Sequence, residues 1–138
     1  MAKTDKQRLI AAAAKARSDS VAPYSKFKVG AALLTAGGDI VTGANVESAS
    51  YGLTCCAERV ALFTALTRGK RNFTAIAVVA RAKGGPMPCG ACRQLLAEYA
   101  PHAQVLVADS RSPARFRSFR VKDLLPGAFL EVPDTRGQ

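Results

Sequence analysis

The sequence contains no apolar run long enough to span a bilayer, and its single histidine, His102, is separated from every cysteine by a predicted helix. Residues 1–8 lack the charged-then-apolar order of a secretory signal. We therefore expect a cytoplasmic protein without a membrane partner, and we interpret His102 as a surface residue. The chain has four cysteines, and in a reducing compartment cysteines are more typical of metal binding or redox chemistry than of structural disulfides.

Acidic residues are also scarce, with 10 Asp and Glu against 20 Lys and Arg, which gives a net charge of +10. Such a balance attracts polyanions without specificity. However, the basic residues form no run dense enough for a nucleic-acid arm, and no aromatics are interleaved with them as stacking platforms. We interpret the charge as a solvated surface and do not expect nucleic acid as a partner.

The length suits one domain covering residues 1–138. A chain of 138 residues can bury roughly two-thirds of its unfolded surface without disulfides. The hydrophobic fraction of 49% and the charged fraction of 22% are ordinary for a globular protein. The sequence shows neither an internal repeat nor a domain boundary.

Hydrophobic periodicity predicts an α/β fold. Thr4 and Gln7 match a capping box before an alanine-rich stretch at 9–17, which predicts a first helix. Apolar and polar residues alternate over 27–33, and Gly37-Gly38-Asp39 predicts a hairpin into a second strand. The remaining predicted elements are that second strand at 40–46, helices at 56–66 and 89–99, doubly covered strands at 76–80 and 105–108, and a polar loop or weak edge strand at 111–118. Alternating strands and helices after a hairpin predict a mixed sheet with helices on both sides.

The most informative motif is Cys56-Ala57-Glu58, followed by Pro88-Cys89-Gly90-Ala91-Cys92. Three thiolates leave a tetrahedral zinc ion with an open fourth position, which is typical of catalytic rather than structural zinc. Glu58 lies two residues beyond the first thiolate and is a natural proton carrier for water in that opening. The motif therefore indicates metal-assisted hydrolysis.

The predicted helices explain how these cysteines could meet. Cys89 and Cys92 are three residues apart, so they share one helix face, and a helix N-terminus favours thiolates. Three thiolates and Zn²⁺ leave one net negative charge, which Arg59 could offset by donating a hydrogen bond to a sulfur. A surface position for Arg59 fits the spacing equally well.

Other readings of the same residues stay open. Cys89-Gly90-Ala91-Cys92 also resembles the dithiol of a thiol–disulfide oxidoreductase. Cys55 could close a structural zinc site as a fourth ligand, although a buried small side chain is the simpler reading. Glu58 could merely stabilise its helix N-terminus. A non-enzymatic zinc or RNA-binding module is a further alternative.

Longer segments extend the pattern beyond the cysteines. They are 23–33 (PYSKFKVGAAL), 45–47 (NVE), 56–59 (CAER), 88–94 (PCGACRQ) and 124–129 (LLPGAF). With these motifs in order, the chain resembles the small, homotetrameric, zinc-dependent cytidine deaminases over about residues 22–129. The signature of a ligand, Glu and Pro-Cys-x-x-Cys is that of zinc deaminases in general.

The resemblance implies a three-layer α/β/α sandwich around a five-stranded mixed sheet. It also implies one Zn²⁺ per chain, held by Cys56, Cys89 and Cys92. The implied reaction converts cytidine and 2′-deoxycytidine to the uridines with release of ammonia, while Glu58 carries the protons. The runner-up is a deaminase of another aminopyrimidine nucleoside, such as blasticidin S or N4-substituted cytidines.

The resemblance further implies how the substrate is bound. Asn45 and Glu47 alternate on a predicted strand and so point the same way; in the family this pair grips the ribose 3′-hydroxyl. Without the resemblance they would be turn or surface residues. Three further implied contacts are Phe27 against the base, the backbone around Ala57 and Cys89 along the base edge, and Tyr51 and Phe129 reaching into a neighbouring subunit's site. The last contact implies a homotetramer with shared active sites.

The chain departs from the family pattern at Ala44, Ser48 and Met87. Relatives often carry cysteine, asparagine and serine at these positions. None of the three removes a group that the chemistry needs. Met87, before Pro88, could alter the shape of the site.

Overall fold

A five-stranded sheet lies at the centre of the fold, in a computed structural model that describes residues 1–132. Residues 133–138, the end of the predicted 1–138 domain, lie outside the described residues. The strands are β1 (Val29–Thr35), β2 (Ile40–Ala44), β3 (Phe73–Ala80), β4 (Gln104–Asp109) and β5 (Arg117–Arg120), and they lie side by side in the order β2-β1-β3-β4-β5. The helices are α1 (Lys3–Ala16), α2 (Ala57–Thr67), α3 (Gly90–Tyr99) and α4 (Val121–Leu124). Strands β3 and β4 are parallel and the other neighbouring pairs are antiparallel, so the predicted five-stranded mixed sheet is confirmed.

Helices cover both faces of this sheet. On one face, Leu9, Ile10 and Ala13 of α1 pack with residues of β1, β3 and β4. On the other, α2 and α3 pack with the alternate residues of the same strands. These layers form the predicted α/β/α sandwich. No helix within residues 1–132 is both long and apolar enough to cross a membrane.

The first predicted strand differs from the observed one. Strand β1 begins at Val29 rather than Phe27, and Gly30 through Thr35 are all buried instead of alternating with exposed residues. The reason is that helices cover both faces, so small residues such as Gly30 and Ala32 are core residues opposite α1. Phe27 lies before the strand.

The predicted capping box is wrong. Helix α1 begins at Lys3 with Ala2 as its N-cap, and a methyl group cannot accept a hydrogen bond. Thr4 and Gln7 therefore both lie inside the helix. The prediction for 111–118, a loop or a weak edge strand, is confirmed as a loop over 111–116; the edge strand β5 covers 117–120 and pairs with β4.

Two glycines set how closely the helices approach the sheet. A Cβ atom on Gly43 of β2 would lie 2.4 Å from the Ala61 backbone nitrogen of α2. A Cβ on Gly30 of β1 would lie 2.0 Å from the Ala13 carbonyl oxygen of α1. Only glycine permits such contacts. Gly43 therefore fixes the position of α2, whose N-terminus carries Cys56 and Glu58.

Candidate active site

Two helix N-termini bring the cysteines together. Cys56 is the N-cap of α2, Cys89 is the N-cap of α3, and Cys92 lies in the first turn of α3. Their sulfur atoms lie within 4.8 Å of one another, with 3.9 Å from Cys56 to Cys89 and 3.4 Å from Cys89 to Cys92. This cluster can hold a metal ion.

The donor set fits zinc. A tetrahedron with Zn–S bonds of about 2.3 Å has edges of about 3.8 Å, close to the observed sulfur separations. Among residues 1–132, the group able to hold a metal consists of these three cysteines, so Cys55 is not part of it. The Cys55 backbone instead pairs with Val46, and burial raises the pKa of its thiol, which suits a neutral side chain.

The neighbours of Cys56 favour its thiolate form. The neighbouring Cys92 thiol, followed by Arg59, lowers the pKa of Cys56 to about 5 despite its partial burial. The same interaction with Cys56, together with burial, raises the pKa of Cys92. Arg59 donates from Nη2 to the Cys56 sulfur at 3.3 Å and to the Thr54 carbonyl oxygen at 3.3 Å. Arg59 therefore makes the contact with a thiolate that the sequence suggested as one alternative.

Glu58 lies next to this cluster and is only 6% exposed. Burial, followed by the charge of Cys56, raises its pKa to about 7. A carboxyl group with a pKa near neutrality both accepts and returns a proton readily. The position suits a proton carrier.

A cavity of about 260 Å³ opens over Glu58 and the two helix N-termini. Most of the residues expected at a substrate site line it: Phe27, Asn45, Glu47, Cys56, Ala57, Glu58 and Cys89. Ser25, Val29, Thr54, Val78 and Pro86, for which the sequence predicts no role, also line the cavity. Met87, expected to alter the shape of the site, lines it too. The sequence offered a signal for Ser25, because it lies in the Pro-Tyr-Ser motif; nothing local marks Val78, which a core strand supplies.

Asn45 and Glu47 line the cavity from just beyond the end of β2. The Asn45 amide oxygen accepts from the Val29 N–H at 2.9 Å and from the Ser20 hydroxyl, and its Nδ2 donates to the Phe27 carbonyl oxygen at 2.8 Å. One Glu47 oxygen accepts from the N–H groups of Tyr24 and Ser25, at 3.0 and 3.1 Å. The other accepts from the Ser25 hydroxyl.

Tyr51 and Phe129 do not reach this cavity within one chain. Tyr51 lies in a short 3₁₀ turn at 51–53 and is 77% exposed. It borders an adjoining depression of about 390 Å³, and its ring packs edge-on against Tyr24. Phe129 is 61% exposed, and its carbonyl oxygen accepts from Gln94 Nε2 at 2.6 Å.

Three thiols at two helix N-termini, with a buried carboxyl group beside them on an α/β/α scaffold, define the class of zinc-dependent deaminases. The family described as "Cytidine and deoxycytidylate deaminase zinc-binding region" matches residues 3–108. The chain belongs to this family.

Similar proteins agree with that membership. The chain is 51% identical over 125 residues to a cytidine deaminase of Halalkalibacterium halodurans, covering 91% of this chain and 94% of the relative. It is 46% identical to a cytidine deaminase of Sporosarcina psychrophila, covering 91% of each. The crystal structure of cytidine deaminase from Burkholderia pseudomallei superposes with a TM-score of 0.86 at 48% identity, covering 94% of this chain and 100% of that one.

Proposed function

We propose that the protein catalyses the hydrolytic deamination of cytidine and 2′-deoxycytidine to uridine and 2′-deoxyuridine. The observation that carries this proposal is the buried Glu58, with a pKa near 7, beside three zinc-binding thiols at the base of a cavity. When bound, zinc supplies acidity to water, lowering its pKa from about 15.7 toward 7. The relatives named cytidine deaminase support the same reaction.

Glu58 moves the protons in this reaction. Its carboxylate accepts a proton from the attacking water and donates it to N3 of the pyrimidine. The water oxygen bonds to C4. Glu58 then takes the remaining proton of the new C4 hydroxyl and passes it to the exocyclic amine. The C4–N4 bond breaks as the C4=O double bond forms, and ammonia leaves. Arg59 holds the thiolate at Cys56 through its 3.3 Å contact and offsets the excess negative charge of three sulfurs.

Asn45 and Glu47 hold the sugar through the hydrogen-bond donor and acceptor that their contacts within the protein leave free. An asparagine amide nitrogen has two hydrogens, and Asn45 commits one of them to the Phe27 carbonyl. A carboxylate has about four acceptor sites, and Glu47 commits three of them to Tyr24 and Ser25. One donor and one acceptor remain, which matches a single hydroxyl group, and we assign them to the ribose 3′-hydroxyl. Phe27 packs against the base, and the backbone at Ala57 and Cys89 holds the base edge.

The exposed aromatic residues support a homotetramer with shared active sites. Tyr51 and Phe129 are large side chains left in water by a single chain, and each would complete the pocket of a neighbouring copy. We place the enzyme in pyrimidine salvage in the cytoplasm, where reduced thiols remain available to zinc.

An assay of ammonia release alongside zinc content tests this function. We expect about one zinc per chain and rapid release from cytidine. A protein that carries zinc yet releases ammonia from blasticidin S or N4-substituted cytidines and not from cytidine would favour the runner-up activity. A metal-free protein with a reversible Cys89–Cys92 disulfide would instead indicate an oxidoreductase.

Oligonucleotides provide a second arm of the same assay. The Glu47 carboxylate beside the 3′-hydroxyl would repel a 3′-phosphate, so single-stranded DNA and RNA should be poor substrates. Cytidine 3′-phosphate and cytidine 5′-phosphate form the matched pair, since they carry the same charge at different positions of the sugar and only the first places it beside Glu47. Deamination of oligonucleotides at rates comparable with cytidine would refute the assignment of Glu47.

A further inference from the structure

We propose that Ser25 is a positioning residue for sugar recognition, which acts through Glu47 rather than by touching the substrate. This inference rests on the proposed function, because it concerns how the pocket for the 3′-hydroxyl is kept in shape. Ser25 lines the cavity, so its hydroxyl group would ordinarily be assigned as a ligand of the nucleoside. Its hydrogen bonds indicate a different role.

The Ser25 hydroxyl is committed in both directions. Its proton is donated to one oxygen of Glu47, and its oxygen accepts the Phe27 N–H at 3.0 Å. A serine hydroxyl has one proton, so Ser25 has no further hydrogen to offer a ligand. The acceptor bond from Phe27 also fixes the rotation of the hydroxyl group, which directs that proton at Glu47.

The backbone of the same turn completes the hold on Glu47. The N–H groups of Tyr24 and Ser25 converge on the other carboxylate oxygen, at 3.0 and 3.1 Å. Successive N–H groups of this kind form a concave site for an anion. The Ser25 hydroxyl is the largest single cause of a Glu47 pKa below its usual range, because the donated hydrogen bond stabilises the carboxylate form.

The result is a rigid link between two surfaces of the cavity. Ser25 joins Glu47, assigned to the sugar, with the backbone N–H of Phe27, whose carbonyl oxygen keeps its bond from Asn45 when Ser25 is changed. Without the hydroxyl, Glu47 keeps its two backbone bonds but gains rotational freedom at the oxygen that Ser25 had fixed. The cost of losing Ser25 should therefore depend on whether the substrate carries the hydroxyl that Glu47 binds.

The test is a comparison of Ser25→Ala on cytidine and on 3′-deoxycytidine, which lacks the hydroxyl. We expect kcat/KM for cytidine to fall about tenfold, mainly through KM, because one charge-assisted hydrogen bond that orders a binding group is lost. For 3′-deoxycytidine we expect a change of less than about twofold, because that substrate makes no use of Glu47. Ser25→Thr, which keeps the hydroxyl, should restore most of the loss.

Ser48→Ala is the matched control. Ser48 borders the adjoining depression and its hydroxyl accepts from the Ser50 N–H, so this change removes a nearby serine hydroxyl that is not bonded to Glu47. Both substrates should be turned over by Ser48→Ala as by the parent. If Ser25→Ala does not fold, Ser25→Cys, with its weak donor, allows the same comparison.

The outcomes separate the inference from the function on which it rests. If kcat/KM of Ser25→Ala falls equally for both substrates, Ser25 has a general structural role and the inference is overturned. An unchanged KM for cytidine would also overturn it. In both cases the parent would still deaminate cytidine. A parent that holds zinc but does not act on cytidine would overturn the proposed function itself.

Discussion

Glu58 combines two effects that act in the same direction on one carboxyl group. Its burial disfavours the charged form, and the thiolate at Cys56 adds repulsion. Both effects raise its pKa toward neutral pH, where a carboxyl group both accepts and donates a proton efficiently. Among the Asp and Glu residues within 1–132, Glu58 is the one that is buried.

Glu58→Gln tests this role at the scale of one residue. The amide has nearly the same shape but carries no transferable proton, so we expect kcat to fall by at least about 10³-fold. Zinc content should stay near that of the parent, and the melting temperature should stay equal or rise, because a neutral amide is buried at lower cost. Glu98→Gln, at an exposed position of α3, is the control and should be fully active. Near-parental activity of Glu58→Gln would contradict the mechanism.

At the scale of elements, the metal cluster joins two helices that otherwise touch little. Cys56 is the N-cap of α2, whereas Cys89 and Cys92 lie at the start of α3. Zinc bound by the three sulfurs therefore acts as a crosslink between the two helices. Because the folded chain binds the ion and the unfolded chain does not assemble the site, metal affinity contributes to stability.

Removing the metal should therefore lower the melting temperature. Binding at a hundredfold excess over Kd contributes about 2.7 kcal/mol, and for a domain of this size each kcal/mol shifts the melting temperature by about 4 °C. We expect chelation, or Cys89→Ala, to cost about 10 °C with loss of zinc, as measured by calorimetry and metal analysis. Cys55→Ala, at a cysteine outside the cluster, should retain its zinc. Loss of zinc from Cys55→Ala would instead make Cys55 a ligand.

Strand β2 controls the same site through Gly43. A methyl group there must displace α2, and overpacking of this kind costs about 1–3 kcal/mol. We expect Gly43→Ala to lose both stability and zinc affinity, whereas Gly30→Ala, which displaces α1 on the opposite face, should lose stability while its purified folded fraction keeps zinc. Thermal melts with metal titration would measure both. Equal zinc affinity in the two variants would contradict this account.

The elements also show what sequence patterns can predict. The two cysteine motifs predict the metal site because each is local, with its ligands at a helix start within a few residues, although Cys56 and Cys89 are 33 positions apart. The sequence predicts strand β1 two residues early and with one exposed face, whereas α1, which lies earlier in the chain, covers that face. Thr4 and Gln7 matched a cap that the helix does not use, since α1 starts one residue before Thr4. Ser25 lies in the Pro-Tyr-Ser motif, but its role depends on a hydrogen bond to Glu47, 22 positions along the chain, which no local pattern predicts.

The whole molecule leaves a set of large apolar side chains in water. Tyr51, Leu53, Phe129 and Leu130 are each more than half exposed in the single chain. Single exposed apolar residues are common, but these four form two pairs that are close in sequence, at 51/53 and at 129/130, and grouped exposed apolar side chains indicate interaction surfaces. The aromatic members of this set are those that the resemblance assigns to a neighbouring subunit's site.

Sedimentation at micromolar concentration tests the assembly. We expect a species of four times the 14.5 kDa chain mass, stable to added salt because apolar burial rather than charge would hold it together. Tyr51→Ser should weaken the assembly and raise KM together, because the same side chain would serve both. Lys3→Ser, at an exposed helix end, is the control and should sediment as the parent does. A fully active monomer would contradict the shared sites.

The order of the strands has a consequence for synthesis of the chain. Strand β3 lies between β1 and β4, and two of the three sulfurs follow it in sequence. When the nascent chain has been released from the ribosome as far as Ala80, it therefore contains one of the three thiols and three of the five strands. Metal uptake has to wait for the later part of translation, so a prematurely ended product would emerge with an exposed β3 edge and no ion to stabilise it.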